Sequence, residues 1–153
     1  MNCILLYPYS DGLNEKLLNS LLNSENMILL FSREKQDSRI LSVNLSQFKG
    51  QFITGFLGKD YSSHLSLKKD LSEKNLVLSE IHFLPDNNIN NEFGFSDIED
   101  FLKKSSLIER SMNIYINIRL KDFRPGKLIL EFMKMYRLSK SAGVSIRYKF
   151  GLS

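Results

Sequence analysis

Cys3-Ile4-Leu5-Leu6-Tyr7 is an unbroken apolar run, the pattern of a strand covered on both faces. Pro8 ends it, and Ser10-Asp11-Gly12 supplies turn and capping chemistry. Leu13, Leu17, Leu18, Leu21 and Leu22 then repeat at helical spacing, and Met27-Ile28-Leu29-Leu30-Phe31 is a second unbroken run. Strand, short helix, strand predicts a βαβ unit with two parallel neighbours. Ile40 to Leu45 alternates and predicts a half-exposed strand, Gln51 to Phe56 a further one, and Leu76 to Leu84 another. The polar stretch Gly58 to Lys74 fits no single template.

The last third is more regular. Ser96-Asp97-Ile98-Glu99 fits a capping box, with Ile98, Phe101, Leu102 and Ser105 on one helix face up to about Leu107. Met112 to Leu120 alternates, with Met112, Ile114, Ile116, Ile118 and Leu120 opposite Asn113, Tyr115, Asn117, Arg119 and Lys121. Pro125 suits a first helical turn, and Ile129, Phe132, Met133 and Tyr136 form an i, i+3, i+4, i+7 stripe. Gly143 stands where a left-handed cap is wanted, before Val144, Ile146, Tyr148 and Phe150 alternate with Ser145, Arg147 and Lys149. Residues 112–150 therefore predict a second βαβ unit. The expected fold is α/β, with α+β the alternative. Residues 1–153 make one compact domain with a mixed sheet, βαβ units at both ends and an antiparallel centre. The Asn-rich segment 86–94 is the expected flexible loop.

Composition narrows the class. The 153 residues, with eleven Phe and six Tyr, suit one folded domain. The longest apolar runs fall far short of the roughly 18 residues of a membrane span. The single Cys3 excludes an internal disulfide, and the start of the chain lacks a basic leader region, so a reducing, cytoplasmic setting is expected.

Charge changes the picture more. The net +4 divides into +7 over residues 111–153, with nine basic and two acidic residues, and −3 over residues 1–110. On the predicted unit, Tyr115, Asn117, Arg119, Lys121, Arg147 and Lys149 point away from the helix together. Such a face suits a phosphate backbone: cations neutralise phosphates, amides hydrogen-bond, and a tyrosine can stack a base. An ordinary solvated face has the same composition. A second candidate is the turn from Lys121 to Lys127, where a helix N-terminus, Arg124, Lys127 and Gly126 favour an anion.

Strand, Arg124-Pro125-Gly126-Lys127, apolar helix, Ala142-Gly143 and strand resembles the acyl-CoA-binding core of GNAT-type acetyltransferases. That resemblance implies a pyrophosphate of coenzyme A at this turn. Lys127 and Ile129 stand where the family has small residues, and no catalytic residue carries over.

Other chemistry is sparse. His64 and His82 are the only histidines, and Glu80 and His82 share one strand face, as a surface hydrogen bond or an acid–base pair. Gly-x-Ser-x-Gly, Walker-type and Gly-x-Gly-x-x-Gly motifs are absent, and neither cofactor nor metal is expected. The leading expectation is a non-enzymatic binding or adaptor protein whose basic C-terminal face meets a polyanion, most simply nucleic acid. The first alternative is a small enzyme acting on a phosphate-bearing ligand, acyl-CoA-like or nucleotide, at the rim of Asp11 and Arg124–Lys127. The second is an interaction subunit or inhibitor that binds an acidic protein.

Overall fold

A computed structural model describes residues 1–9, 17, 20–21, 26–35, 52–85, 93–119 and 124–151. The predicted strand over residues 40–45, the loop 86–92 and Lys121 lie outside them, as does most of the first predicted helix. The elements in chain order are β1 (Asn2–Tyr7), β2 (Met27–Ser32), β3 (Phe52–Phe56), α1 (Ser62–Glu73), β4 (Val77–Phe83), α2 (Phe95–Lys104), β5 (Asn113–Arg119), α3 (Pro125–Ala142) and β6 (Ser145–Gly151). They form one α/β domain around a six-stranded sheet of order β3-β2-β1-β4-β5-β6.

Every strand pair is parallel. The expected antiparallel centre is therefore wrong, and the reason lies in residues 58–74. That polar stretch is helix α1, whose buried positions are His64, Leu67 and Leu71. A helix between β3 and β4 makes their connection a crossover, and a crossover returns the chain parallel.

Right-handed connections also decide which face each helix covers. The chain moves outward from β1 to β3, then crosses back and moves outward again from β4 to β6, so the two halves are covered from opposite sides. Side chains alternate accordingly. Cys3, Leu5, Tyr7, Leu29, Phe31, Ile81, Phe83, Ile114, Ile116 and Ile118 join α1, α2 and α3 in the main core. Ile4, Leu6, Ile28 and Leu30 face the other way, where Leu17 and Leu21 of the first connection pack on them. The unbroken apolar runs of β1 and β2 thus serve two cores, each buried aliphatic side chain contributing about 1.5–3 kcal/mol. In β3, Gly55 pairs with Phe31, and a Cβ there would sit 2.6 Å from the Phe31 ring.

Helix caps follow sequence chemistry with one shift of register. Helix α2 starts at Gly94, whose N–H donates to the Asp97 carboxylate at 2.9 Å, in place of the expected Ser96–Glu99 box. Pro125 opens α3, and Gly143 closes it at φ 70°. A Cβ on Gly143 would meet Arg110 Cγ at 3.0 Å. Gly143→Ala is expected to cost about 1–2 kcal/mol in urea unfolding, since a left-handed residue with a Cβ carries that strain. An unchanged midpoint would contradict this account of the cap.

The packing stripe of α3 differs from the expected one. Leu128 and Met135 are buried, with Phe132, Leu138 and Ala142 partly so, while Ile129, Met133 and Tyr136 are each more than half exposed. The helix carries two apolar stripes that share Phe132. Helical periodicity sets their spacing but not which one meets the sheet. Among the described residues no helix is long and apolar enough to cross a membrane.

Candidate functional site

The second face of the sheet changes character between β1 and β4. Over β1 and β2 it is apolar and packed. Over β4–β6 it carries Glu80, His82, Tyr115, Asn117, Arg119, Arg147 and Lys149, because Ile81, Phe83, Ile114, Ile116 and Ile118 turn the opposite way into the core. Alternation places these residues on one face, and register sets their neighbours. Tyr115 lies between His82 on β4 and Arg147 on β6, and Asn117 beside Lys149.

The row is built from inside outward. His82 is fully buried, its Nε2 2.9 Å from Glu80 Oε1, and its ring stacks on Tyr115 at 4.7 Å with 9° between planes. Its Nδ1 has no hydrogen-bond partner among the described residues. Lys149 Nζ lies 4.8 Å from the Tyr115 ring centroid. Because β4 and β6 flank β5, the ring is capped by an imidazole on one side and an ammonium on the other. Both π faces of Tyr115 are thereby occupied, and its edge and hydroxyl remain for a ligand. The Asn117 amide N–H donates to the Phe83 carbonyl at 3.2 Å, which ties β5 to the carboxyl end of β4.

The cations are the accessible part. Arg147 and Lys149 are exposed and Arg119 half-buried, and none has a carboxylate partner among the described residues. Arg124 and Lys127 sit at the exposed start of α3, beyond the carboxyl end of β5. Among the described residues that helix has no acidic residue in its first turn and no side-chain cap, which leaves the N–H groups after Pro125 available to an anion. A Cβ at Gly126 would meet nothing within 4 Å, so the turn is open there with or without glycine. Of the sequence candidates, Tyr115, Asn117, Arg119, Arg147 and Lys149 share one surface. Arg124 and Lys127 border its carboxyl end. The Asp11 rim and Lys121 lie outside the described residues.

No protein family, characterised protein or solved structure matches the chain.

Three further chemistry-bearing residues, Cys3, Tyr7 and His64, are buried in the core. Cys3 is a buried core thiol, pushed up to about 11 by burial, which holds it in the unreactive thiol form. Tyr7 is likewise pushed up to about 12 by burial, with its hydroxyl donating to the Leu57 carbonyl at 2.8 Å. His64 Nδ1 is 2.7 Å from Ser105 Oγ, and the ring is buried between Tyr61 and Phe101. The His82–Tyr115 stack is absent from the sequence reading. Both residues occupy polar-face positions, but their contact depends on the β4–β5 register, which no local pattern encodes.

Proposed function

We propose that this chain is a non-enzymatic binding module whose open β4–β6 face contacts a polyanion, most simply nucleic acid. The observation that carries the reading is the set Arg119, Arg147 and Lys149 on one face, bordered by Arg124 and Lys127, without carboxylate partners among the described residues. Among the described residues only Glu80 opposes them there, and it is engaged with His82. With both faces of Tyr115 taken, affinity comes from phosphate contacts, not base stacking, and sequence preference is low.

Fluorescence anisotropy with labelled duplex and single-stranded oligonucleotides tests this. About four phosphate contacts give a log K against log salt slope near −3.6 on duplex. Arg147→Glu with Lys149→Glu is expected to lower affinity by about tenfold or more. Salt-independent affinity, or a double variant that binds as the parent does, would overturn the proposal.

A second reading is supported by one specific feature. The order β3-β2-β1-β4-β5-β6 has its topological switch between β1 and β4, and sheets wound this way bind ligands beyond their carboxyl strand ends. A nucleotide or acyl-CoA-like ligand held there and at the α3 N-terminus, with chemistry done on it, is the enzyme alternative. It rests on fold analogy, since the Gly-rich phosphate loop is absent after β1. Thermal-shift titration with nucleotides and CoA esters distinguishes the two: a rise in Tm supports the enzyme reading, and no response removes it.

A further inference from the structure

β6 is an edge strand of seven residues. The Ser145 N–H bonds back to the Met112 carbonyl of the preceding segment. Alternation along a parallel strand then turns the N–H and C=O groups of Ile146, Tyr148 and Phe150 outward, away from β5. These backbone groups have no partner among the described residues, which makes them a template for one more strand.

Alongside runs the unburied apolar stripe of α3. Ile129, Phe132, Met133, Tyr136 and Arg137 line an open groove of about 340 Å³. Phe132 joins that groove to the edge strand, with its ring 4.3 Å from Tyr148 and 6.4 Å from Phe150. Phe150, like Ile129, Met133 and Tyr136, is more than half exposed. Free backbone edge and apolar groove are therefore continuous on the face that carries α3. On the opposite face of the same strand stand Arg147 and Lys149.

We propose that the β6 edge and the outer stripe of α3 together dock an extended peptide segment of another protein in which acidic and apolar residues alternate. An added strand sends alternate side chains to opposite faces. Its apolar residues enter the α3 groove, and its carboxylates lie beside Arg147 and Lys149 as cross-strand ion pairs. Charge favours this occupant over a second copy of the chain. Two-fold pairing of β6 with itself is antiparallel, which brings the Arg147 and Lys149 side chains of the two copies together on one face. The proposal goes beyond polyanion binding: its determinants are the edge backbone and the α3 groove, which a nucleic acid on the flat face does not use.

The probe is a labelled peptide of alternating Glu and Val, compared with alternating Lys and Val and with a block-order peptide of the same Glu and Val content. The Glu–Val peptide is expected to bind and the other two not. Phe150→Pro removes an outward N–H without touching the β5 ladder, and Met133→Asp places a charge in the groove. Each is expected to weaken peptide binding about tenfold while oligonucleotide affinity holds. Phe150→Ala, which keeps the N–H, is expected to lose less than Phe150→Pro. Circular dichroism melts verify folding, and Met133→Asp, at an exposed position, carries the test if the proline variant unfolds. No binding of the Glu–Val peptide, equal binding of all three peptides, or binding unaffected by Met133→Asp would overturn the proposal. So would a dimer in sedimentation equilibrium that Met133→Asp dissociates, which would assign the edge to a second copy.

Discussion

Phe83→Ala is expected to destabilise the chain by about 3–5 kcal/mol, the cost of truncating a fully buried phenylalanine in a core that cannot collapse around the void. Phe83 is the last residue of β4, at the centre of the sheet order, and is wholly inaccessible. Its ring meets Phe101 of α2 edge-on at 4.9 Å and lies 6.2 Å from Phe93. Phe101 also touches Tyr7 and His64, so the cavity would open beneath α2 and spread into the packing of β1 and α1. A domain of this size has about 5–15 kcal/mol in all, so the loss removes much of the margin. The Tm is expected to fall by roughly 10 °C or more, at about 2–4 °C per kcal/mol. The Phe83 carbonyl also receives the Asn117 amide, so a shift of this strand end would disturb the β4–β6 face as well. Urea unfolding followed by circular dichroism measures the effect. A loss under 1 kcal/mol would mean that the aromatic cluster is not the centre of the core.

The elements that sequence patterns make legible are those whose partners are generic. β1 and β2 read as strands because unbroken apolar runs of five residues fit nothing else at that length, and burial on both faces follows from their central positions. β5, α3 and β6 read correctly because alternation, a proline start and a glycine stop agree with one another. Helix α1 is not legible. Its buried stripe has only three members and one of them is His64, a residue counted as polar. Missing that helix turns a crossover into a hairpin and produces the false antiparallel centre. The same limit governs the site. Alternation places Tyr115, Asn117, Arg119, Arg147 and Lys149 on common faces of their strands. Whether those faces stay open, and that His82 lies under Tyr115, depends on strand order and register across separate elements. The α3 stripe shows the limit in another form, since both of its apolar faces satisfy the helical period and packing selects one. The unselected stripe stays exposed along α3, beside the β6 edge.

Stability is expected to fall as pH drops below about 6.5, with His64 as a principal cause. The imidazole is buried, and burial holds its pKa below the ordinary value, with the Gly58 backbone and the Asp60 charge acting in the opposite direction. Ser105 Oγ accepts the Leu107 N–H at 3.1 Å and lies 2.7 Å from His64 Nδ1, where its hydroxyl can donate to the neutral ring. A second proton on this ring would turn the Ser105 contact around, making Oγ the acceptor, and would place a buried charge between Tyr61 and Phe101. In the unfolded chain the same histidine protonates near 6.5. Below that pH the unfolded state therefore binds more protons than the folded one. The stability that neutral His64 contributes is complete above 6.5 and is lost as pH falls toward the depressed folded value. One proton corresponds to a limiting slope of about 1.4 kcal/mol per pH unit. His64→Gln keeps a polar side chain beside Ser105 but cannot titrate. It is expected to be less stable than the parent at pH 7.5 and to show a shallower decline between pH 6.5 and 5, before most carboxylates protonate. Urea midpoints for both proteins at half-unit intervals give the comparison, and the difference between them removes the contribution of the groups they share. Parallel curves for parent and variant would show that His64 is not the titrating group.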